Sequence, residues 1–259
     1  MPKTHEEQAA RLDRLIGLLD GRVAPPPDVP GKQTLLRALM NLHPGEGLPA
    51  EFFALQDEEL TCQKRCRGVV AVSQIAPSPV FPQLRLWRGD ITRLAADAIV
   101  NAANSQLLGC FHPLHNCIDN IIHSRAGLQL RAECRKLMQA QGHEEPVGSA
   151  KITPAYNLPA RWVIHTVGPI VDGDAPTPRQ CRELAACYTA CLDLALHYGL
   201  ESLAFCCIST GVFHFPNALA AGIAVETVCE ALSRAPFATV IFDVFTDEDE
   251  QLYGKLLGY

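Results

Sequence analysis

The segment CFHPLHNC, Cys110 to Cys117, places two thiols and an imidazole, those of Cys110, His115 and Cys117, within eight positions. Thiolate sulfur and imidazole nitrogen are preferred ligands of zinc, and this spacing lets one short loop supply three of them. No fourth ligand of equal quality accompanies them. Three protein ligands and an open position are what a catalytic or substrate-binding Zn2+ requires, whereas a structural zinc closes its shell with four.

A second stretch suited to ligand binding is Ser209-Thr210-Gly211-Val212-Phe213-His214-Phe215-Pro216, which joins an apolar run to a helical pattern beginning near Asn217. Gly211 permits close backbone approach, and hydroxyl and amide groups at a helix entrance hold a pyrophosphate without any basic residue. By itself a Ser-Thr-Gly turn is more often chain punctuation. The Asn-rich turn Asn101 to Asn104, which ends another apolar run, gives this one a loop to face.

The elements that must position these loops follow from periodicity. Beyond Gln83, apolar runs alternate with helical stretches. The pattern predicts strands at Leu84 to Trp87, Ala98 to Ala102, Lys151 to Thr153, Trp162 to Val167, Leu203 to Ile208 and Thr239 to Phe245. It predicts helices at Cys117 to Ala126, Leu128 to Gln141, Pro178 to Tyr198, Asn217 to Arg234 and Glu248 to Leu257. Such alternation means an α/β fold, a central sheet between helices, with ligands bound beyond the carboxyl ends of the strands. The N-terminal part is purely helical, over residues 5 to 20, Lys32 to Leu42 and Ala50 to Arg65. These helices are too few and short for an independent core, so residues 1–76 read as a helical extension packed on a domain of residues 77–259, with Pro77, Pro79 and Pro82 as the connection.

The formal net charge of -6 and the absence of a long Lys/Arg run argue against a nucleic-acid partner. The charged start, MPKTHEEQAARLDRL, lacks the apolar core of a signal peptide, and no later segment is a long uncharged apolar run, so a cytoplasmic protein with no membrane partner is expected. Eleven cysteines in that compartment are thiols rather than a disulfide framework. Cys187, Cys191, Cys206 and Cys207 read as small buried hydrophobes. Cys62 and Cys66 form half of a metal pattern that no second pair completes.

Taken together and in order, RGDIT, AIVNAAN, AKITPAYNLPARWVIHTVGP and ISTGVFHFP resemble the macrodomain family, a three-layer fold that binds ADP-ribose. The Cys and His loop resembles that family's zinc-containing microbial branch, which carries a comparable N-terminal extension and removes ADP-ribose from modified proteins. The resemblance covers about Leu84 to Tyr259. It implies that Asp90 accepts the adenine amino group, with Ile91 adding a backbone amide. It implies further that Asn104 contacts the distal ribose, that Asp119 is the acidic residue near that ribose, and that Cys110, His115 and Cys117 hold zinc. Ser209, Thr210, Gly211, Val212 and Phe213 match the phosphate loop, and Phe245 the aromatic that covers adenine. The same resemblance implies partners: an ADP-ribosylated protein of the lipoyl-carrying, glycine-cleavage H-like kind, and a sirtuin-type ADP-ribosyltransferase. Two departures stand out, since Cys110 to Cys117 replaces the usual Gly-rich run, and His214 stands where Gly is common.

Each residue also has a plainer reading. Asp90 is a suitable helix cap. Asp119 lies in a first helical turn, where the dipole favours a carboxylate. His123, four residues on, can pair with it for structural reasons, and His165 reads as a core residue. The expected activity is zinc-dependent hydrolysis of mono-ADP-ribose from side chains, carboxylates first. The alternatives are an ADP-ribose reader with zinc as a staple, and a zinc hydrolase acting on another small molecule.

Overall fold

The computed structural model describes residues 5–235 and 237–259. Its centre is a six-stranded mixed sheet in the order β2-β8-β7-β4-β6-β5, formed by β2 (Leu84–Arg88), β4 (Ala98–Ala103), β5 (Ala150–Pro154), β6 (Trp162–Val167), β7 (Ser202–Phe205) and β8 (Thr239–Val244). All neighbours are parallel except β5 and β6. A separate parallel pair joins β1 (Val70–Ala71) to β3 (Leu94–Ala95). Five helices cover the sheet: α4 (Ile118–Ala126), α5 (Leu128–Gln141), α6 (Pro178–His197), α7 (Asn217–Arg234) and α8 (Asp247–Leu257). The central strands β4, β6, β7 and β8 are almost continuously buried, as strands covered on both faces must be.

One strand is shorter than its apolar run. β7 stops at Phe205 although hydrophobicity continues to Ile208, because Cys206 to Pro216 leaves the sheet and crosses its carboxyl end before α7 starts. Ser209 turns that segment with φ 66, a left-handed conformation uncommon for a residue with a Cβ.

The N-terminal helices α1 (His5–Leu19), α2 (Val29–Leu42) and α3 (Ala50–Arg67) gather a cluster of Leu12, Leu15, Ile16, Leu36, Met40, Phe52 and Leu60 that is completed by Leu128 of α5. They have a core, but it closes against the main sheet's helices. Inside it, the buried Glu59 carboxylate takes bonds from Arg11 Nε at 3.2 Å and Nη2 at 2.7 Å. Arg131 of α5, 1% exposed, donates from Nη1 to the carbonyls of Met40, Asn41 and His43. Its charge thereby caps the C-terminus of α2, where the helix dipole is negative. The proline-rich connection is also tied down: Ser78 Oγ donates to the Leu257 carbonyl at 2.6 Å, and Pro77 bridges Arg85. Among the described residues no helix is long and apolar enough to cross a membrane.

Candidate functional site

At the carboxyl end of β4 the chain turns through Asn104 and Gly109 into the Cys110 to Cys117 loop. Asn104 Nδ2 donates to the Gly109 carbonyl at 3.2 Å, and its Oδ1 accepts from Gln106 N. Gly109 has φ +79, and a Cβ there would press into the His123 ring at 2.8 Å, so only glycine suits this turn.

The loop then brings Cys110, His115 and Cys117 together, their donor atoms all within 4.8 Å of one another. Cys110 Sγ lies 3.7 Å from His115 Nδ1. Cys117 is the N-cap of α4, its sulfur accepting from Asn120 N at 3.4 Å. Burial pushes its thiol up to about 12, with further contributions from Cys110 and Asp119, so the thiolate needs a cation beside it. Two sulfurs and an imidazole nitrogen at this spacing fit Zn2+, whose binding would displace the thiol protons. His112 stacks edge-on against His115 and is not in the group; nor is the exposed His214, which turns its backbone at φ 57.

Residues that sequence reading did not single out hold this loop. Asn120, fully buried, donates from Nδ2 to the His112 carbonyl at 2.9 Å and the Cys110 carbonyl at 3.3 Å. Its Oδ1 accepts from Arg37 Nη2 at 3.0 Å, and the same Arg37 nitrogen donates to the His115 carbonyl at 2.9 Å. Asn41 Oδ1 accepts from Leu114 N, and the Arg131 guanidinium lies 4.4 Å over the Phe111 ring. The extension therefore clamps the loop.

Asp119 is two residues beyond Cys117, in the first turn of α4, and 5% exposed. Its Oδ1 accepts from Asn101 Nδ2 at 2.8 Å, and its Oδ2 lies 3.4 Å from Asn104 Nδ2. Burial raises this carboxyl to about 6, against the bond from Asn101 and the Arg131 charge, which both lower it. His123 Nε2 is 3.5 Å from Oδ1. Burial, His165 and Arg131 together hold His123 well below its ordinary range, so it stands there as a neutral ring.

The phosphate-loop candidates lie across the sheet end. Among the described residues the amides of Thr210, Gly211, Val212 and Phe213 donate to no backbone carbonyl, and no side chain caps the first turn of α7. Thr210 Oγ1 is bound to the Cys207 carbonyl, while buried Ser209 Oγ has no partner. Free amides at a helix entrance suit an anion.

At the far end, Asp90 caps a short 3-10 turn (Ile91–Arg93), and both of its bonds, from Thr92 N and Thr92 Oγ1, fall on Oδ1. The capping reading and ligand binding are thus compatible, since Oδ2 is left over. Ile91 is buried and Phe245, just beyond the end of β8, is 78% exposed. Asp243, two residues before Phe245, is buried, and burial with the nearby Asp90 charge raises its carboxyl well above the usual range. Its isolation in an apolar run was the available signal.

Known proteins share this chain's fold and much of its sequence. The Macro domain family model matches residues 100–224. A protein named protein-ADP-ribose hydrolase from Treponema medium is 50% identical over 236 residues, covering 90% of each chain. One of the same name from Staphylococcus aureus (strain MSSA476) is 47% identical over 220 residues, covering 85% of this chain and 82% of that one. Among solved structures, the Trypanosoma brucei macrodomain in complex with ADP-ribose is similar with a TM-score of 0.67 and 30% identity, over 84% of this chain and 94% of that one.

Proposed function

Because the chain belongs to the macro domain family, we propose that it is a protein ADP-ribosyl hydrolase that releases mono-ADP-ribose from modified side chains, carboxylates first, with zinc at Cys110, His115 and Cys117. The observation that carries the reading is Asp119, a buried carboxyl raised to about 6, held by Asn101 and adjoining Asn104 and the thiol loop. Relatives of nearly full coverage that are named for this reaction support it.

In this reading the ligand lies across the carboxyl ends of the strands. Asp90 Oδ2 accepts the adenine amino group, the Ile91 amide adds a contact, and Phe245 covers the base. The free amides of residues 210–213, between Ser209 and the start of α7, take the diphosphate. Asn104 fixes the distal ribose. These contacts supply binding energy that positions the scissile bond.

Hydrolysis adds one water across the bond between the distal ribose and the side-chain oxygen. Asp119 takes a proton from that water and returns it to the departing oxygen, so the products are a ribose hydroxyl and a free carboxyl group. Burial raises the Asp119 carboxyl above the ordinary carboxylate range, the direction that suits a general base. Zinc held by Cys110, His115 and Cys117 would supply Lewis acidity beside Asp119. The second reading is a reader that binds ADP-ribose without turnover, with zinc as a staple for the loop.

The partner is a modified protein, for which the family resemblance suggests a lipoyl-carrying, glycine-cleavage H-like protein and, upstream, a sirtuin-type transferase. Incubating zinc-loaded protein with an ester-linked mono-ADP-ribosylated protein tests the reading. Release of free ADP-ribose is expected; tight binding without release would favour the reader.

A further inference from the structure

Behind Asp119, three more buried side chains form a line through the sheet. Asn101 of β4 and His165 of β6 are direct partners in the strand register, and Lys151 of β5 stands opposite His165. Thr153 is two residues from Lys151, so Thr153, His165 and Asn101 share the face that α4 covers. Thr153 Oγ1 is 3.0 Å from His165 Nε2, His165 Nδ1 is 3.2 Å from Asn101 Nδ2, and Asn101 Nδ2 is 2.8 Å from Asp119 Oδ1. Asn101 and His165 are 0% exposed and Thr153 1%, so none of these bonds is shared with bulk water.

We infer that Asn101, His165 and Thr153 act as positioning residues for Asp119, with the His165 proton held on Nε2 by this chain of bonds. The inference rests on the hydrolase reading above.

The donor logic permits one assignment. An amide oxygen 2.8 Å from an ionised carboxylate oxygen would set two acceptors against each other, so the NH2 group of Asn101 faces Asp119. That group has two hydrogens. One goes to Asp119 Oδ1 and the other to His165 Nδ1, which must therefore be a bare acceptor. The ring proton is then on Nε2, which donates to Thr153 Oγ1. Asn101 Oδ1 has no partner of its own, so the amide's orientation is set by its two acceptors alone. With Oδ1 tethered, Asp119 Oδ2 is left towards Asn104, on the ribose side.

The same tautomer removes a competing reading. His123, Cys134 and His165 offer donor atoms within 4.8 Å, a spacing suited to a metal, and Cys134 Sγ lies 3.7 Å from His165 Nε2. Coordination through Nε2, the nitrogen beside Cys134, would need a lone pair there while Nδ1 still accepts from Asn101, which demands an imidazolate; coordination through Nδ1 would take the acceptor from Asn101. The positive Arg131 guanidinium nearby adds to the cost for a cation. The chain of hydrogen bonds satisfies His165 without a metal.

Loss of the tether should be felt at the reacting bond more than in ligand affinity, because misplacing a reacting group by about 1 Å costs on the order of 100-fold in rate. The first test is nitrogen NMR of the zinc-loaded full chain labelled with 15N-histidine. His165 should show a protonated Nε2 and a bare Nδ1; the opposite tautomer would overturn the inference. The second is kinetic, on mono-ADP-ribosylated protein. His165→Leu should lower kcat by roughly 10- to 100-fold, with KM and free ADP-ribose affinity within about 3-fold. His165→Gln, whose amide can accept from Asn101 and donate to Thr153, should recover most of that kcat. Equal losses in Gln and Leu, or wild-type kcat in Leu, would refute it. Should the Leu variant not fold, Thr153→Val, which keeps the volume, takes its place; lowered kcat at unchanged KM supports the inference and unchanged kcat refutes it. Absence of release by wild-type protein would sink the hydrolase reading and this inference with it. Wild-type release with no Leu-to-Gln difference would sink the inference alone.

Discussion

Arg37 of α2 donates to the carbonyl of His115, 78 residues away, at 2.9 Å, and with the same nitrogen to Asn120 of α4. A helix outside the sheet thus sets the backbone of a candidate metal ligand. Arg37→Ala should leave the three ligand side chains intact and loosen the loop, at about 1.5–3 kcal/mol for a lost charged hydrogen bond. Faster zinc transfer to a chelator and a lower Tm are expected, and unchanged metal release would show that the clamp is incidental.

The purified protein should carry about one zinc per chain. Cys110→Ser, His115→Ala and Cys117→Ser should each lose it, whereas Cys62→Ser, in a half-buried position on α3, should keep it. Metal analysis of the four variants decides this, and full retention in Cys117→Ser would remove that residue from the site.

Much of the fold could be read from the chain because strand and helix periods are local. The run Trp162 to Val167 emerges as β6, and the pattern from Leu128 to Gln141 as α5. The end of β7 could not be read, because Cys206 to Ile208 is as apolar as the strand before it, and only a turn at Ser209 with positive φ takes it out of the sheet. The site divides the same way. Thiols, imidazoles and the Ser-Thr-Gly turn announce themselves by residue type, whereas Arg37, Asn41 and Arg131 look like ordinary helix-surface residues. His165 looked like core and is core, yet it lies 3.2 Å from the Asn101 nitrogen that binds Asp119, from a strand 64 positions away.

Gly168 tests the phosphate loop from below. A Cβ there would fall on Ser209 Oγ and 2.9 Å from Ile208 Cγ2, and Ser209 already has φ 66. Gly168→Ala should therefore displace the loop, costing about 1–3 kcal/mol. Weaker ADP-ribose binding by calorimetry and a lower Tm are expected. Gly173→Ala, with nothing within 4 Å of its Cβ, should change neither. Equal affinity in both variants would separate this loop from the ligand.

Stability should depend on pH through His165. Burial lowers its folded-state value to about 3, against about 6.5 for an unfolded chain. Above pH ~6.5 neither state is protonated. Below it the unfolded state takes a proton that the folded state refuses, so stability falls between pH ~6.5 and ~3, by on the order of a few kcal/mol. Denaturant unfolding of wild type and His165→Gln across that range isolates this contribution; the variant should lose less, and parallel curves would contradict the assignment.

The central claim is that Asp119 acts on the bond between ribose and protein while adenine and diphosphate are held elsewhere. Its most direct measurement is the rate of ADP-ribose release from an ester-linked mono-ADP-ribosylated protein by wild type and Asp119→Ala, with zinc content, Tm and free ADP-ribose affinity taken on the same samples. Release by wild type and a fall of at least about 100-fold in the variant are predicted, with zinc retained and affinity within a few-fold. No release by folded, zinc-loaded wild type that binds ADP-ribose, or an undiminished rate in Asp119→Ala, would contradict it.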